Sequence, residues 1–199
     1  MNKTPRQRRK KKNEESILDA ATQQLYEKGI ENISIREIAK EADYSPAALY
    51  KYFDSKEAII QAVSARENQN LIEKLAQVDP TLSPYQRLVE LCLQYIDFCF
   101  DNPQFIALIN SLTSARHSQA DPIPQQSPYM IFLEAVRAWV HSDQVRMTEE
   151  YGFEEITYSL WALIHGAATL RFSQLRDFEA DFSRTNRRSI ELFLKGIHS

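Results

Sequence analysis

The chain has 199 residues, 43% of them hydrophobic and 26% charged, with four glycines and a formal net charge of -3. That length allows one domain, or a small domain joined to a larger one, and the composition, with no sustained Val/Ile/Thr alternation, points to a mostly helical globule. No apolar run reaches the length of a membrane span and the basic N-terminus lacks a signal peptide's apolar stretch, so a cytoplasmic protein with no membrane partner is expected. The charge is unevenly placed. Residues 1 to 12 hold seven bases (Lys3, Arg6, Arg8, Arg9, Lys10, Lys11, Lys12) and no acid; of 24 bases and 27 acids in all, the remainder keeps 17 and 27, or -10. Such an arm is expected to be disordered, and either stays solvated or lies along phosphates or in a minor groove.

From Glu14 to Lys28, Ile17, Leu18, Ala21, Leu25 and Tyr26 recur at helical spacing, and Gly29 stands where a left-handed residue ends a helix. Ser34 with Glu37 forms an S-x-x-E capping box for a second, short helix carrying Ile35, Ile38, Ala39 and Ala42. Asp43 and Tyr44 make a tight turn, Ser45 is an N-cap, and Pro46 opens a third helix at the position where its missing N–H costs nothing. Ser55, or Asp54 with Glu57, caps a fourth run that ends at Asp79-Pro80. Further helices are expected over 85–100, 103–112, 128–141, 152–175 and 182–197, with loop composition over 113–127. Cys92 and Cys99 stand seven apart in one run, which makes a bond between them geometrically implausible; they read as buried free thiols or, alternatively, a redox sensor. The expected fold is all-α with about nine helices. It comprises a disordered arm (1–12), a three-helix helix-turn-helix domain (13–57) and a C-terminal helical bundle (58–199).

Three short helices with a tight turn before the last form a helix-turn-helix, whose final helix enters the DNA major groove. Leu49 and Phe53 face inward with Tyr44, which leaves Ser45, Pro46, Ala47, Ala48, Lys51 and Tyr52 toward the groove. Tyr50, Tyr52 and Lys56 offer donors to phosphates, as do Ser34 and Arg36 at the start of the second helix. Singly, each of these is equally an ordinary surface residue or cap; together they point to double-stranded DNA.

The run "SIREIAKEADYSPAALYKYFDSKEAI" closely resembles the DNA-binding segment of the TetR family of bacterial transcriptional regulators, in which an A-G-V-S turn and an L-Y-x-H/Y-F-x-S/N-K-E end recur. The resemblance implies that Arg36, Ala47, Ala48, Tyr50, Tyr52 and Lys56 contact DNA. The family's usual turn glycine is Asp43 here, a residue type that tolerates a left-handed backbone better than most. A shorter stretch, "LWALIHGAATLRF", is similar to a Trp-x-x-x-His-Gly signature of one C-terminal subclass of the family. His165 then either lines a ligand pocket or is a satisfied core histidine, and Gly166, Ala167 and Ala168 let another helix come close.

The resemblance further implies a small-molecule effector held in the C-terminal body, with Phe98, Phe105, Phe132, Tyr158 and Trp161 as walls and Asn110, Arg116 or His165 as polar contacts. Two apolar stripes run along 152–175: Phe153, Ile156, Leu160, Leu163, Ala167 and Leu170, and Tyr158, Trp161, His165, Ala168, Phe172 and Leu175. A helix apolar on two sides must be covered on two sides, so one stripe is expected to face a second copy, with Ile190, Phe193, Leu194 and Ile197, in a homodimer. No catalytic constellation, metal-ligand spacing or cofactor motif is present in the sequence. The expected function is a ligand-responsive transcriptional regulator, a repressor that binds a palindromic operator as a homodimer and is released by an apolar or aromatic effector. The alternative is a helical small-molecule binding or carrier protein without specific DNA binding.

Overall fold

The structure, a computed structural model, describes residues 4–106, 108, 127–143, 145–173, 175 and 179–198. Among these residues there are eight α-helices with both ends described, one turn of 3-10 helix and a further helical stretch at 103–106 and 108, and a lone bridge between Thr148 and Tyr151 is the extent of β pairing. Among them too, no helix is long and apolar enough to cross a membrane.

Helix α1 spans Pro5–Lys28. It therefore begins well before the expected helix, and the arm expected to be disordered is, from residue 5, its first turns. The signal is local: Thr4 is the N-cap, Pro5 the first helical residue, and Gln7 returns its side chain to the Thr4 N–H at 2.9 Å while the Thr4 hydroxyl accepts from the Gln7 N–H at 3.3 Å. Gln in the third position completes a capping box as Glu does. These turns carry bases and no acid at the end where the helix dipole favours acids. The helix stops at Gly29, whose φ of 76° lies in the left-handed region and whose N–H reaches Leu25 O at 3.0 Å.

A 3-10 turn, Ile30–Asn32, leads into α2, Ile35–Glu41. Its capping box is not formed: Ser34 makes no side-chain cap bond, and the Glu37 carboxylate pairs instead with Lys28 Nζ at 3.0 Å. Asp43 takes a φ of 60°, the left-handed turn expected of it. Helix α3 is Pro46–Leu49 and α4 is Lys56–Leu75. The Ser55 hydroxyl caps α4 by accepting from the Ala58 N–H at 3.1 Å.

The first of two compact units contains these helices up to Glu67, together with Gln104, Phe105, Ile106 and Leu108. The boundary expected at residue 57 thus falls inside this unit, since Ile59, Ile60 and Val63 of α4 are buried in one core with Ile17, Ile38 and Leu49. Arg66 fixes α4 against α1: it donates to Asp19 Oδ1 at 2.7 Å, to Leu18 O at 3.1 Å and to Thr22 Oγ1 at 2.5 Å.

The second unit holds the end of α4, then α5 (Pro84–Asp101), α6 (Pro128–Asp143), α7 (Phe153–Phe172) and α8 (Phe182–His198). Ser83 and Gln86 cap α5 reciprocally. Helix α5 packs against α6, α7 and α8, and buries Leu88, Leu91, Cys92, Tyr95 and Cys99. Both cysteines are free thiols, and burial pushes Cys99 up to about 12 and Cys92 further, which keeps them protonated and unreactive. Trp139 of α6 is fully buried and satisfies its indole N–H on Asp143 Oδ2 at 3.0 Å.

The two stripes expected on α7 are not the faces it presents. Its buried row is Ile156, Leu160, Ile164 and Ala168, which takes members from both stripes and adds Ile164. Steps of four follow the ridge by which helices interdigitate at a crossing angle, whereas the expected stripes mixed steps of three and four along a straight axis. Tyr158 and Leu170, one from each stripe, are exposed, as is Leu192 of α8.

Candidate nucleic-acid interface

The start of α3 is built by Ser45, whose backbone is extended and whose hydroxyl accepts from the Ala48 N–H at 3.2 Å. Pro46 supplies the first helical residue without an unmet donor. Leu49 is buried in the core and sets the rotation of the helix, so Pro46 and Ala47 are exposed and Ala48 is half-buried. Tyr50 is 53% exposed, and Lys51 and, from α2, Arg36 are exposed as well. Lys56 and Ser34 are half-buried.

Tyr52 differs from the expectation of an outward side chain. It is half-buried, packs on the core of the first unit and meets Tyr44 edge to face at 6.0 Å. Its hydroxyl accepts a hydrogen bond from Asn13 Nδ2 at 2.8 Å. The ring is held inward because α3 ends at Leu49, and the turn that follows swings residue 52 back toward α1.

Beside this tyrosine lies a groove of about 580 Å³, lined by Arg6, Gln7, Arg9, Lys10 and Asn13 of α1 and by Lys51 and Tyr52. Among the described residues no ion pair engages Arg6, Arg9 or Lys51, while Lys10 approaches Glu14 at 3.6 Å with its side chain 63% exposed. Four cations around one concave surface just past the end of α3 suit a polyanionic backbone. Arg6, Arg9 and Lys10 belong to the arm expected either to stay solvated or to lie along phosphates, whereas Gln7 and Asn13 were not among the sequence candidates.

In the second unit, Tyr95, Phe132 and Trp161 form an aromatic cluster, with centroid separations of 5.0 Å for Tyr95–Trp161 and 5.4 Å for Phe132–Trp161. Tyr129 joins Trp161 at 6.1 Å. The Tyr95 hydroxyl lies 2.8 Å from His165 Nδ1. Burial drives the Tyr95 pKa far up and holds that of His165 below its usual range, so a neutral phenol faces a neutral ring. Of the expected effector residues, Phe98, Phe132, Trp161 and His165 belong to this unit, and Phe98 and Phe132 are buried. Phe105 belongs to the first unit, Tyr158 is 71% exposed, and Asn110 and Arg116 lie outside the described residues. Among the described residues no cluster of three or more His, Cys, Asp or Glu is placed to hold a metal ion.

Comparison with known proteins agrees with this geometry. The sequence profile of bacterial regulatory proteins of the tetR family matches residues 17–63, and that of the tetracyclin repressor-like C-terminal domain matches residues 88–193, more than half of the chain. The chain belongs to the TetR family of transcriptional regulators. An uncharacterized HTH-type transcriptional regulator of Mycobacterium tuberculosis is 36% identical over 92 residues, 46% of this chain and 46% of that protein; the chain thus spans about half the length of that relative. The fold is shared with the fatty acid degradation regulator FadR of Bacillus halodurans (TM-score 0.70, 15% identity, 98% of this chain and 97% of that one). It is shared too with RolR in complex with resorcinol (TM-score 0.67, 14% identity, 96% and 89%).

Proposed function

We propose that the protein is a repressor that binds a palindromic operator as a homodimer and is released by a small apolar or aromatic effector. The observation that carries the DNA contact is the groove of Arg6, Arg9, Lys10 and Lys51, which adjoins the residues just past the end of α3, together with the exposed Pro46 and Ala47 at that helix's start. In this reading Pro46, Ala47 and Ala48 meet base edges, and Ser34, Arg36, Ser45, Tyr50, Lys51, Tyr52 and Lys56 meet the backbone. A dimer is favoured by Tyr158 and Leu170 on α7 and Leu192 on α8, large apolar side chains left exposed on neighbouring helices. Two recognition helices about 34 Å apart enter successive major grooves together. Helix α4, which runs from the first unit into the second, carries the effector's influence to them.

The effector reading is favoured by the aromatic cluster around Trp161, and by RolR, which shares the fold and binds resorcinol. By linkage, an effector that weakens operator binding is weakened by operator to the same degree. Selection of duplexes from a random-sequence pool, followed by sedimentation and gel shift of the chosen duplex, tests the reading. A dimer with a palindromic site is expected, and selection of no sequence at all would leave the carrier alternative standing. Titration of phenolic and fatty-acid ligands into the complex then tests release.

A further inference from the structure

We propose that Asn13 is a positioning residue for DNA binding: it fixes the Tyr52 hydroxyl so that its proton is offered to a phosphate in the α1 groove. The inference rests on the DNA-binding reading above. A phenol has one proton to donate and two lone pairs to accept with. Asn13 Nδ2 donates to the Tyr52 oxygen at 2.8 Å, which occupies a lone pair and leaves the proton for another acceptor. The Tyr44 ring at 6.0 Å and the core of the first unit hold the Tyr52 ring in place, so the hydroxyl is anchored at both ends.

The lining of the groove does not supply that acceptor. Arg6, Arg9, Lys10 and Lys51 are donors alone. Gln7 brings an amide oxygen, but that oxygen already accepts from the Thr4 N–H at 2.9 Å and the Thr4 hydroxyl at 3.1 Å. A groove rich in donors, with one further donor pre-oriented by an amide, asks its occupant to bring acceptors and negative charge. A phosphate oxygen satisfies both requirements. Asn13 need not touch the DNA; it acts by fixing which way the tyrosine donates. A freely rotating hydroxyl would have to be ordered on binding.

A double-mutant cycle tests this, with gel shifts against a duplex that the unaltered protein selects from a random-sequence pool and thermal melts to check folding. Tyr52→Phe is expected to lower affinity about tenfold, as removal of a hydrogen bond to a charged group does. Asn13→Ala should lower it about threefold in the native background and by less than twofold in the Tyr52→Phe background. Asn13→Asp, which can only accept, takes the hydroxyl proton for itself, so it should lose more affinity with Tyr52 present than with Phe there. Because the hydroxyl is neutral, the salt slope of Tyr52→Phe and Asn13→Ala should match that of the native protein. Equal losses in both backgrounds, or no loss from Asn13→Ala, would overturn the inference while leaving DNA binding intact. Failure of the unaltered protein to select any duplex would overturn the DNA-binding reading and this inference with it.

Discussion

Each compact unit contains a tyrosine whose hydroxyl meets a side-chain nitrogen at 2.8 Å, Tyr52 with Asn13 in the first and Tyr95 with His165 in the second. The two pairs differ in their surroundings. Tyr52 receives a hydrogen bond from Asn13 at the edge of an open basic groove and has its own O–H left to donate, whereas Tyr95, with no exposed surface, is paired with a neutral ring among other aromatics. Burial decides this. A group with access to solvent or to a partner can leave a donor unspent, while a buried donor must be satisfied within the molecule. The first pair is suited to an external polyanion and the second to holding a core together or meeting a small guest.

The largest effect should follow from Tyr95→Ala, which removes a fully buried ring shared by Phe132 and Trp161 and should cost about 3–5 kcal/mol in chemical denaturation. If it cost no more than Tyr52→Ala, the contrast drawn from burial would fail. Arg66→Ala removes three hydrogen bonds that tie α4 to α1, and a loss of about 1–3 kcal/mol is expected, read in the same experiment. Gln in place of both Arg6 and Arg9 should leave stability within about 0.5 kcal/mol. The salt slope of DNA binding should flatten by about 0.9 for each phosphate that these side chains no longer neutralise; an unchanged slope would remove the groove from the interface. The smallest effect concerns pH. Burial keeps the His165 pKa below the ordinary 6.5. The unfolded chain therefore binds the proton first, so stability is full above that value and declines as pH falls through it toward the folded pKa. His165→Gln retains an acceptor for Tyr95 and should flatten that part of the native curve, and identical curves would show that His165 does not titrate with unfolding.

The helix-turn-helix was legible because its determinants are local. Ser45 caps α3, Pro46 opens it, Asp43 takes the left-handed turn, and each acts within a few residues of where it stands. The ordered start of α1 was equally local, in Thr4 and Gln7, but a dense run of bases is read by composition as solvated chain and obscured it. What lay beyond reach were pairings across long stretches of chain: residues 13 and 52, or 95 and 165, carry no mutual signal in spacing. Periodicity likewise gives the interval between apolar residues and not which way the helix is turned. That is how Tyr158, read as a pocket wall, comes to be exposed, and how the row on α7 came to include Ile164. Phe105 was grouped with the C-terminal aromatics by position in the sequence, yet the compact unit it joins is the N-terminal one.

The first two turns of α1 combine a sound cap with charges of the wrong sign for their position: Arg6, Arg8, Arg9, Lys10, Lys11 and Lys12 stand where the dipole is positive and repel one another as well. Added salt screens both penalties. One segment should then answer to ionic strength in opposite senses, its helix content in the free protein rising with salt while its hold on DNA falls. Circular dichroism of the native protein, compared with a variant lacking residues 1–12, would follow the first response, and a gel shift over the same salt series the second.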